Sequence, residues 1–476
     1  MQAQIQVLCP EELCEVHERS LRILMDTGVR VDSSRARKIL SEAGAQVDNK
    51  NNVVRFPPSL VENALKSAPK DFILGGRRPG WNFPVNHGDC TLAADGEALW
   101  VVNADTGERR PGTEADWLKA TQLIDALDEI GVYWQMISNP SDQETMDRKV
   151  RYWRNTFTQF SKHIQDSTEN VEQTRWLLEL LQIIFGDCDA LKIKKPFSFL
   201  LCPVSPLVIE ETYTDAYLET IGMELPVAVM PMPILGLTSP ARLIATTVQG
   251  NCETLAMLCL VQAAAPGTPF IYAPALALAD LRTGRYTGGA IEHSLLSVSV
   301  TQMARYYHLP VEASTGGANG STPGIKTSYE RTINWTLPTL AWPDILVGPG
   351  LFAGSTVLCY EQLYLDVEVF RSLKRLHQGI RSEDDQWLLD VIPEAGPGGN
   401  FLKHRSTLDG LRSGVWHISN LDRMNEMQET HILEYVRAQI EEILKAHQPL
   451  PLDEDTEKEL DRLEARVHAA EITHGD

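Results

Sequence analysis

Short apolar runs ending in small or polar residues recur along the middle of the chain. Phe197–Leu201 leads into Cys202-Pro203-Val204-Ser205-Pro206-Leu207, and Val227–Met232 into Pro233. Phe270-Ile271-Tyr272 leads into Ala273-Pro274, Val311-Glu312-Ala313 into the small-residue run 314–320, and Ile345-Leu346-Val347 into Gly348-Pro349-Gly350. Two earlier strands are predicted at Gly131–Ile137, ending in Ser138-Asn139-Pro140, and at Phe160–Ile164, ending in Gln165-Asp166-Ser167. The intervals are long enough for helices. Apolar strands alternating with helices imply a parallel sheet covered on both faces. Repetition on this scale predicts a closed (β/α)8 barrel, whose chemistry sits at the C-terminal ends of its strands.

Helical periodicity and capping residues extend the pattern. Glu11–Gly28, Ser33–Gly44 and a segment opened by Pro57-Pro58 and running to Ala68 are predicted helices, with Val53–Phe56 a strand between them. Thr113–Glu129 is a helix with Thr113 as N-cap and Asp116 at the third position. Ser239–Ala265 is a long helix capped by Ser239 with Pro240 in its first turn; Thr327–Leu340 and Tyr360–Leu376 are further helices. Residues 1–112 thus form an α+β elaboration, 113–445 the barrel, and 446–476 a charged tail that is either a polar helix or a loose end.

The 476 residues exceed the ~250 of a bare barrel, which requires this attached structure. A net charge of −21 argues against nucleic acid as a partner, because phosphate binding needs a basic face. Met1–Pro10 lacks a basic and apolar leader pattern, and no apolar run reaches the ~20 residues that span a bilayer. The expectation is a cytoplasmic protein without a membrane association. The eight cysteines form no CxxC pair, and most sit in apolar segments and read as buried free thiols. No His/Cys/Glu cluster has metal-ligand spacing, so no metal is expected.

Nucleotide and hydrolase motifs are missing: there is no Walker A sequence, no GxGxxG after a strand, no HExxH and no GxSxG. Attention falls on the strand ends. His163 stands at one, followed by Gln165 and Asp166. The segment 316–324 holds Gly316, Gly317, Gly320 and Gly324, which lets a bulky ligand approach the backbone, although a plain flexible loop has the same composition. Tyr133, Trp134, Phe160, Tyr272, Phe352 and Tyr360 cluster near strand ends. Ring faces attract a cation that has no N–H to donate, at roughly 0.5–2 kcal/mol each, although any single ring is more often core.

The run Asp280-Leu281-Arg282-Thr283-Gly284 resembles the DMRTG segment of the trimethylamine methyltransferase superfamily. So does the order Gly316-Gly317-Ala318-Asn319, Tyr329-Glu330, Gly348-Pro349-Gly350 and Tyr360–Asp366, together with the opening Leu24–Val31. The resemblance covers residues 10–445. In the archaeal trimethylamine enzymes pyrrolysine occupies the glycine-rich segment, near Gly316 or Gly317 here, whereas this chain has standard residues throughout. The chain therefore resembles the pyrrolysine-free branch. That implies methyl transfer from a quaternary amine, such as glycine betaine, proline betaine or carnitine, to the Co(I) of a separate corrinoid protein, with no tightly bound cofactor of its own.

On that resemblance the Gly316, Gly317 and Asn319 loop is the expected catalytic segment. Tyr133, His163, Asp166, Tyr272, Arg282, Glu312, Phe352 and Glu361 are the expected substrate-binding residues. His163, Arg282, Asn319 or backbone N–H groups are candidates for a substrate carboxylate; Asp166, Glu312 and Glu361 are candidates for balancing its cation. A homo-oligomer is compatible with the resemblance. The alternatives are a trimethylamine or other methylamine methyltransferase, another barrel enzyme such as an aldolase, which would need a buried lysine, and a non-catalytic betaine-binding or docking barrel.

Overall fold

The computed structural model describes residues 4–138, 146–413, 417, 419–421 and 429–474. Asn139 and Pro140, at the expected end of one strand, lie outside these residues, as do the last two of the tail. Eight parallel strands form one sheet: β1 (Thr91–Ala93), β2 (Ile130–Tyr133), β3 (His163–Asp166), β4 (Phe197–Leu201), β5 (Val227–Val229), β6 (Phe270–Tyr272), β7 (Glu312–Ser314) and β8 (Ile345–Val347). β8 pairs with β1. The remaining edge closes where Tyr272 meets Val311, and the Tyr272 N–H donates to the Pro310 carbonyl at 2.9 Å. The sheet is thus a (β/α)8 barrel in simple strand order.

Each strand feeds one helix: α1 (Glu114–Ala126), α2 (Met146–Gln159), α3 (Val171–Phe185), α4 (Glu211–Leu218), α5 (Leu243–Ala264), α6 (Ile291–Tyr306), α7 (Ile325–Ala341) and α8 (Tyr360–His377). Helix α1 begins with a full capping box: Thr113 accepts from the Asp116 N–H, and Asp116 accepts from the Thr113 N–H. Helix α5 begins at Leu243 rather than at Ser239, because Ser239 and Pro240 are drawn into a turn in which the Gly236 N–H donates to the Ser239 carbonyl at 2.9 Å. This 22-residue helix is long and apolar enough to cross a membrane, yet 83% of its apolar window is buried inside the molecule. It is a core helix, covered outside by the N-terminal helices Pro10–Asp26 and Pro58–Ser67.

The first barrel strand is β1, inside the stretch assigned from sequence to the N-terminal elaboration; the strand expected first, near residue 131, is the second. Thr91-Leu92-Ala93 is only three residues long and carries one large apolar side chain, so it gave no strand signal. The rest of the N-terminal region holds helices and short strands. Its three strands, Gln46–Asp48, Val53–Arg55 and Val29–Val31, continue into Val208–Ile209 from the loop after β4.

Below the barrel, the hairpin Phe72–Gly75/Asn82–Val85 closes the N-terminal end of the strands. Its Leu74 and Val85 are fully buried against the inward residues Ala93, Val132, Ala228, Ile271, Ile345 and Val347. At the other end, two small sheets rise around the mouth. One joins Trp100–Val102 and Arg109–Pro111 to Leu351–Phe352 and Val357–Leu358; the other joins Ile234–Leu235, Ala277–Asp280 and Arg285–Tyr286.

After α8 the chain leaves the barrel as an arm. It contains the short helices Val391–Ala395 and Arg405–Arg412, and no described side chain from 378 to 413 is buried. The helix Glu429–Ala446 returns to pack on α8 and α1. The charged tail forms a helix, Glu454–His474, laid on α2 and α3. Arg154 of α2 holds it by ion pairs to Glu457, Asp461 (2.7 Å) and Glu464 (3.2 Å).

Candidate active site

Side chains alternate along a strand, so one parity faces the lumen and the other faces the helices. The buried apolar set fixes the parity: Ala93, Val132, Leu200, Ala228, Ile271 and Val347 pack inside. His163 and Gln165 of β3, Ser198 of β4 and Glu312 of β7 meet one another in the same lumen. Trp134 donates its indole N–H to Gln165 Oε1 at 2.6 Å and packs against the inner apolar set.

Glu312 is the chemically unusual member. Gln165 Nε2 donates to its Oε2 at 3.1 Å and to Ser198 Oγ at 3.2 Å. Oε1 of Glu312 is buried without a hydrogen-bond partner. Burial pushes the carboxyl up to about 8, against the opposing effect of the Gln165 hydrogen bond. A buried carboxylate with one free oxygen is costly unless a cation arrives. Higher in the mouth, Cys202 is open to solvent.

The glycine loop after β7 forms part of the rim. Gly316 and Gly317 both take positive φ, +72° and +75°. A Cβ on Gly316 would stand 2.5 Å from His293 Nδ1, whereas one on Gly317 would meet nothing nearer than 3.9 Å. The loop is anchored from below, as the Asn319 and Gly320 N–H groups donate to Glu330 Oε2 at 2.9 and 3.2 Å. Asn319 Oδ1 accepts from the Gly289 N–H at 3.1 Å. His293 lies against this loop, with Nε2 3.1 Å from the Tyr286 hydroxyl and Nδ1 buried without a partner. Burial lowers His293 to about 4, so the ring is neutral. Asp95, at the end of β1, accepts from Ser355 Oγ at 2.8 Å, and burial pushes it up to about 6.

The structure brings some of the expected residues together and separates others. Glu312, His163 and the Gly316–Asn319 loop belong to the lumen and its rim. His163 lies at the closed end, its ring nitrogens spanning the Gly75 carbonyl (3.0 Å) and Ser198 Oγ (2.9 Å). It supports the floor and does not face the mouth. Tyr133 and Tyr272 are one residue out of phase with the inward positions. Tyr133 accepts from the Trp117 indole at 2.9 Å, and Tyr272 donates to Asn251 Oδ1 at 2.9 Å, both on the helical side.

Asp166 also turns outward, to the Trp153 indole at 2.9 Å and to Lys149 at 3.8 Å. Glu361 pairs with Arg437 at 2.6 Å. Arg282 is in an exposed turn, paired with Asp280 at 3.4 Å. Phe352 is fully buried with Val102, Ala318, Val357 and Cys359 beneath the glycine loop, and therefore does not line a pocket. Lys162 donates to the Ile124 and Leu127 carbonyls at the end of α1, outside the lumen, so the amine an aldolase would need is committed elsewhere.

Gln165, Ser198, Cys202, Tyr286, His293 and Asp95 were not selected from sequence as site residues. Strand parity points to Gln165, Ser198, Cys202 and Asp95 once Glu312 is placed inside; Tyr286, in a small mouth sheet, and His293, on α6, carry no such signal. Among the described residues no group of three or more His, Cys, Asp or Glu side chains is arranged to hold a metal. The rim exposes large apolar side chains on several strand-end loops, namely Leu99, Trp100, Val204, Met232, Leu237 and Leu281.

The family described as trimethylamine methyltransferase (MTTB) matches residues 1–471. The trimethylamine methyltransferase MttB of Desulfitobacterium hafniense is 30% identical over 85% of this chain and 81% of its own. That of Methanosarcina barkeri is 29% identical over 96% and 94%. A glycine betaine methyltransferase of Desulfitobacterium hafniense is 27% identical over 84% and 83%. Among solved structures, the monomethylamine methyltransferase MtmB of Methanosarcina barkeri aligns over 91% of this chain and 92% of its own, at 11% identity and a TM-score of 0.48.

Proposed function

Because the chain belongs to the trimethylamine methyltransferase family, we propose that it moves a methyl group from a quaternary, betaine-type amine to the Co(I) of a corrinoid protein. Membership makes it a methyltransferase, and relatives named for trimethylamine and for glycine betaine lie at similar identity. The amine class therefore has to be argued from the lumen. The observation that carries the reading is the unpartnered Oε1 of Glu312 inside the barrel. Its burial cost is offset by a substrate cation. Trp134 adds an aromatic surface beside Gln165, suited to a trimethylammonium group.

The reaction needs little covalent help from the protein. The cobalt lone pair forms the Co–C bond as the C–N bond breaks, and the departing pair stays on nitrogen, giving a neutral tertiary amine. No proton has to move. Protein residues then supply position, desolvation and charge balance. Gly316 and Gly317 contribute backbone in place of pyrrolysine, which suits a substrate already activated by its fixed charge. The carboxylate of the substrate is assigned to His293. With the Tyr286 hydroxyl donating to Nε2, Nδ1 carries the proton and is free to donate.

The corrinoid is the acceptor substrate, brought by its own protein. The apolar rim supports this, since Val204, Met232, Leu237 and Leu281 present a greasy edge to a large macrocycle. The test is a panel of glycine betaine, proline betaine, carnitine, choline and trimethylamine with reduced cobalamin, followed by absorbance as Co(I) becomes methyl-Co(III). A preference for the betaines is expected. Preference for trimethylamine, or equal use of choline, overturns the proposal.

A further inference from the structure

The arm between α8 and the helix Glu429–Ala446 has no core of its own. Nine large apolar side chains on it are exposed: Ile380, Trp387, Leu388, Leu389, Ile392, Phe401, Leu402, Leu408 and Leu411. Ile380 is 88% exposed, Leu402 80% and Leu389 68%. With two aromatic rings of roughly 150–250 Å² each and seven aliphatic side chains each 45% or more exposed, the uncovered apolar surface is on the order of several hundred Å². The largest apolar patch on an ordinary monomer is about 300–600 Å², and a standard interface takes about 800 Å² from each partner. The helices Val391–Ala395 and Arg405–Arg412 bury no residue against the rest of the molecule. Short helices without tertiary support are marginal in water, so the surface needs a cover.

Charge on the arm says what the cover is. Its first half carries Glu383, Asp384, Asp385, Asp390 and Glu394 against Arg381. Its second half carries Lys403, Arg405 and Arg412 against Asp409. One end is acidic and the other basic. Two such arms laid antiparallel about a two-fold axis set acid against base at both ends while their apolar residues meet between. The arm also springs from the C-terminal end of α8, on the closed side of the barrel, opposite the mouth.

We propose that residues 379–413 form a dimerisation arm whose occupant is the same arm of a second copy of this chain. Pairing there buries the apolar residues and leaves both mouths open.

Sedimentation of the full-length protein at micromolar concentration is expected to give twice the chain mass of 53.1 kDa. The double variant Leu389→Asp with Leu402→Asp is expected to sediment as a monomer with an unchanged far-ultraviolet spectrum, since both side chains are exposed. An acidic arm (K403E, R405E, R412E) and a basic arm (E383K, D384K, D390K, E394K) are each expected to be monomeric alone and to form a heterodimer when mixed. A monomeric wild type overturns the proposal, as does a dimer that survives the Leu389/Leu402 substitutions. Failure of the two charge-swapped chains to pair overturns the self-complementary arrangement.

Discussion

Gln165 reaches across the barrel from β3 to hold Glu312 of β7 by one oxygen, at 3.1 Å, and leaves the other oxygen without a partner. On the proposed reaction, the pair turns an energetic cost of the empty protein into affinity for the substrate cation. Replacing Glu312 by Gln keeps the shape and removes the charge. The expected loss in kcat/KM for a betaine is about 100-fold or more, from the ~3–5 kcal/mol of breaking a buried ion pair. Steady-state kinetics on the purified variant checks this; wild-type kcat/KM removes Glu312 from the substrate site.

The same carboxyl gives a pH dependence with a definite sign. In the empty protein Glu312 titrates at about 8, so it is mostly neutral at pH 7. A bound cation favours the ionised form, and binding releases a proton. Affinity for the amine is expected to rise with pH up to about 8 and then level off. Stability runs the other way: the raised pKa gives a contribution complete below the ordinary carboxyl value and lost as pH rises through 8. E312Q is expected to melt higher than wild type at pH 9 and to bind with a flat pH profile. Calorimetric titration and melting curves at several pH values measure both.

Gly316 and Gly317 predict different failures. Both have positive φ, which costs an alanine about 1 kcal/mol. Gly316→Ala also drives its methyl to within 2.5 Å of His293 Nδ1, and is expected to lower the melting temperature as well as activity. Gly317 has open space, so Gly317→Ala should fold nearly as well as wild type and lose turnover by crowding the substrate. Equal melting temperatures for the two variants would contradict this difference.

His293 is assigned the substrate carboxylate, so its loss should discriminate between substrates. His293→Ala is expected to raise KM for glycine betaine about 10- to 100-fold, the ~1.5–3 kcal/mol of a hydrogen bond to a charged group. KM for choline, which lacks the carboxylate, should barely change. A parallel loss for both substrates makes the residue structural.

Beneath the rim, Arg331 of α7 and Asp366 of α8 form a buried ion pair at 2.5 Å, and Asp366 also accepts from the Gly350 N–H at 2.8 Å. Arg331→Met leaves Asp366 buried and unpaired. A destabilisation of about 3–5 kcal/mol is expected, read in urea unfolding.

The barrel was legible in the sequence because most of its strands are apolar runs that end in small or polar residues. The strand that escaped notice, Thr91–Ala93, is short and has only Leu92 as a large side chain. The site was legible in part. Glu312 and the glycine loop stand out as a charge and a cluster of small residues among apolar runs. Tyr133 and Tyr272 were misplaced because nearness to a strand end does not determine which face a ring occupies. One residue of parity separates Tyr133, among the helices, from Trp134, in the lumen. Parity was readable only after the inward set was known.

The hairpin that plugs the lower end of the barrel makes the lumen a cup with one door. Amine and acceptor must share it, and on the proposed reaction the acceptor is large enough to block it. The amine must then enter first, and the demethylated product must wait until the acceptor has departed. Initial-rate patterns should be those of an ordered sequential scheme, with excess acceptor inhibiting by trapping the empty cup behind a closed entrance.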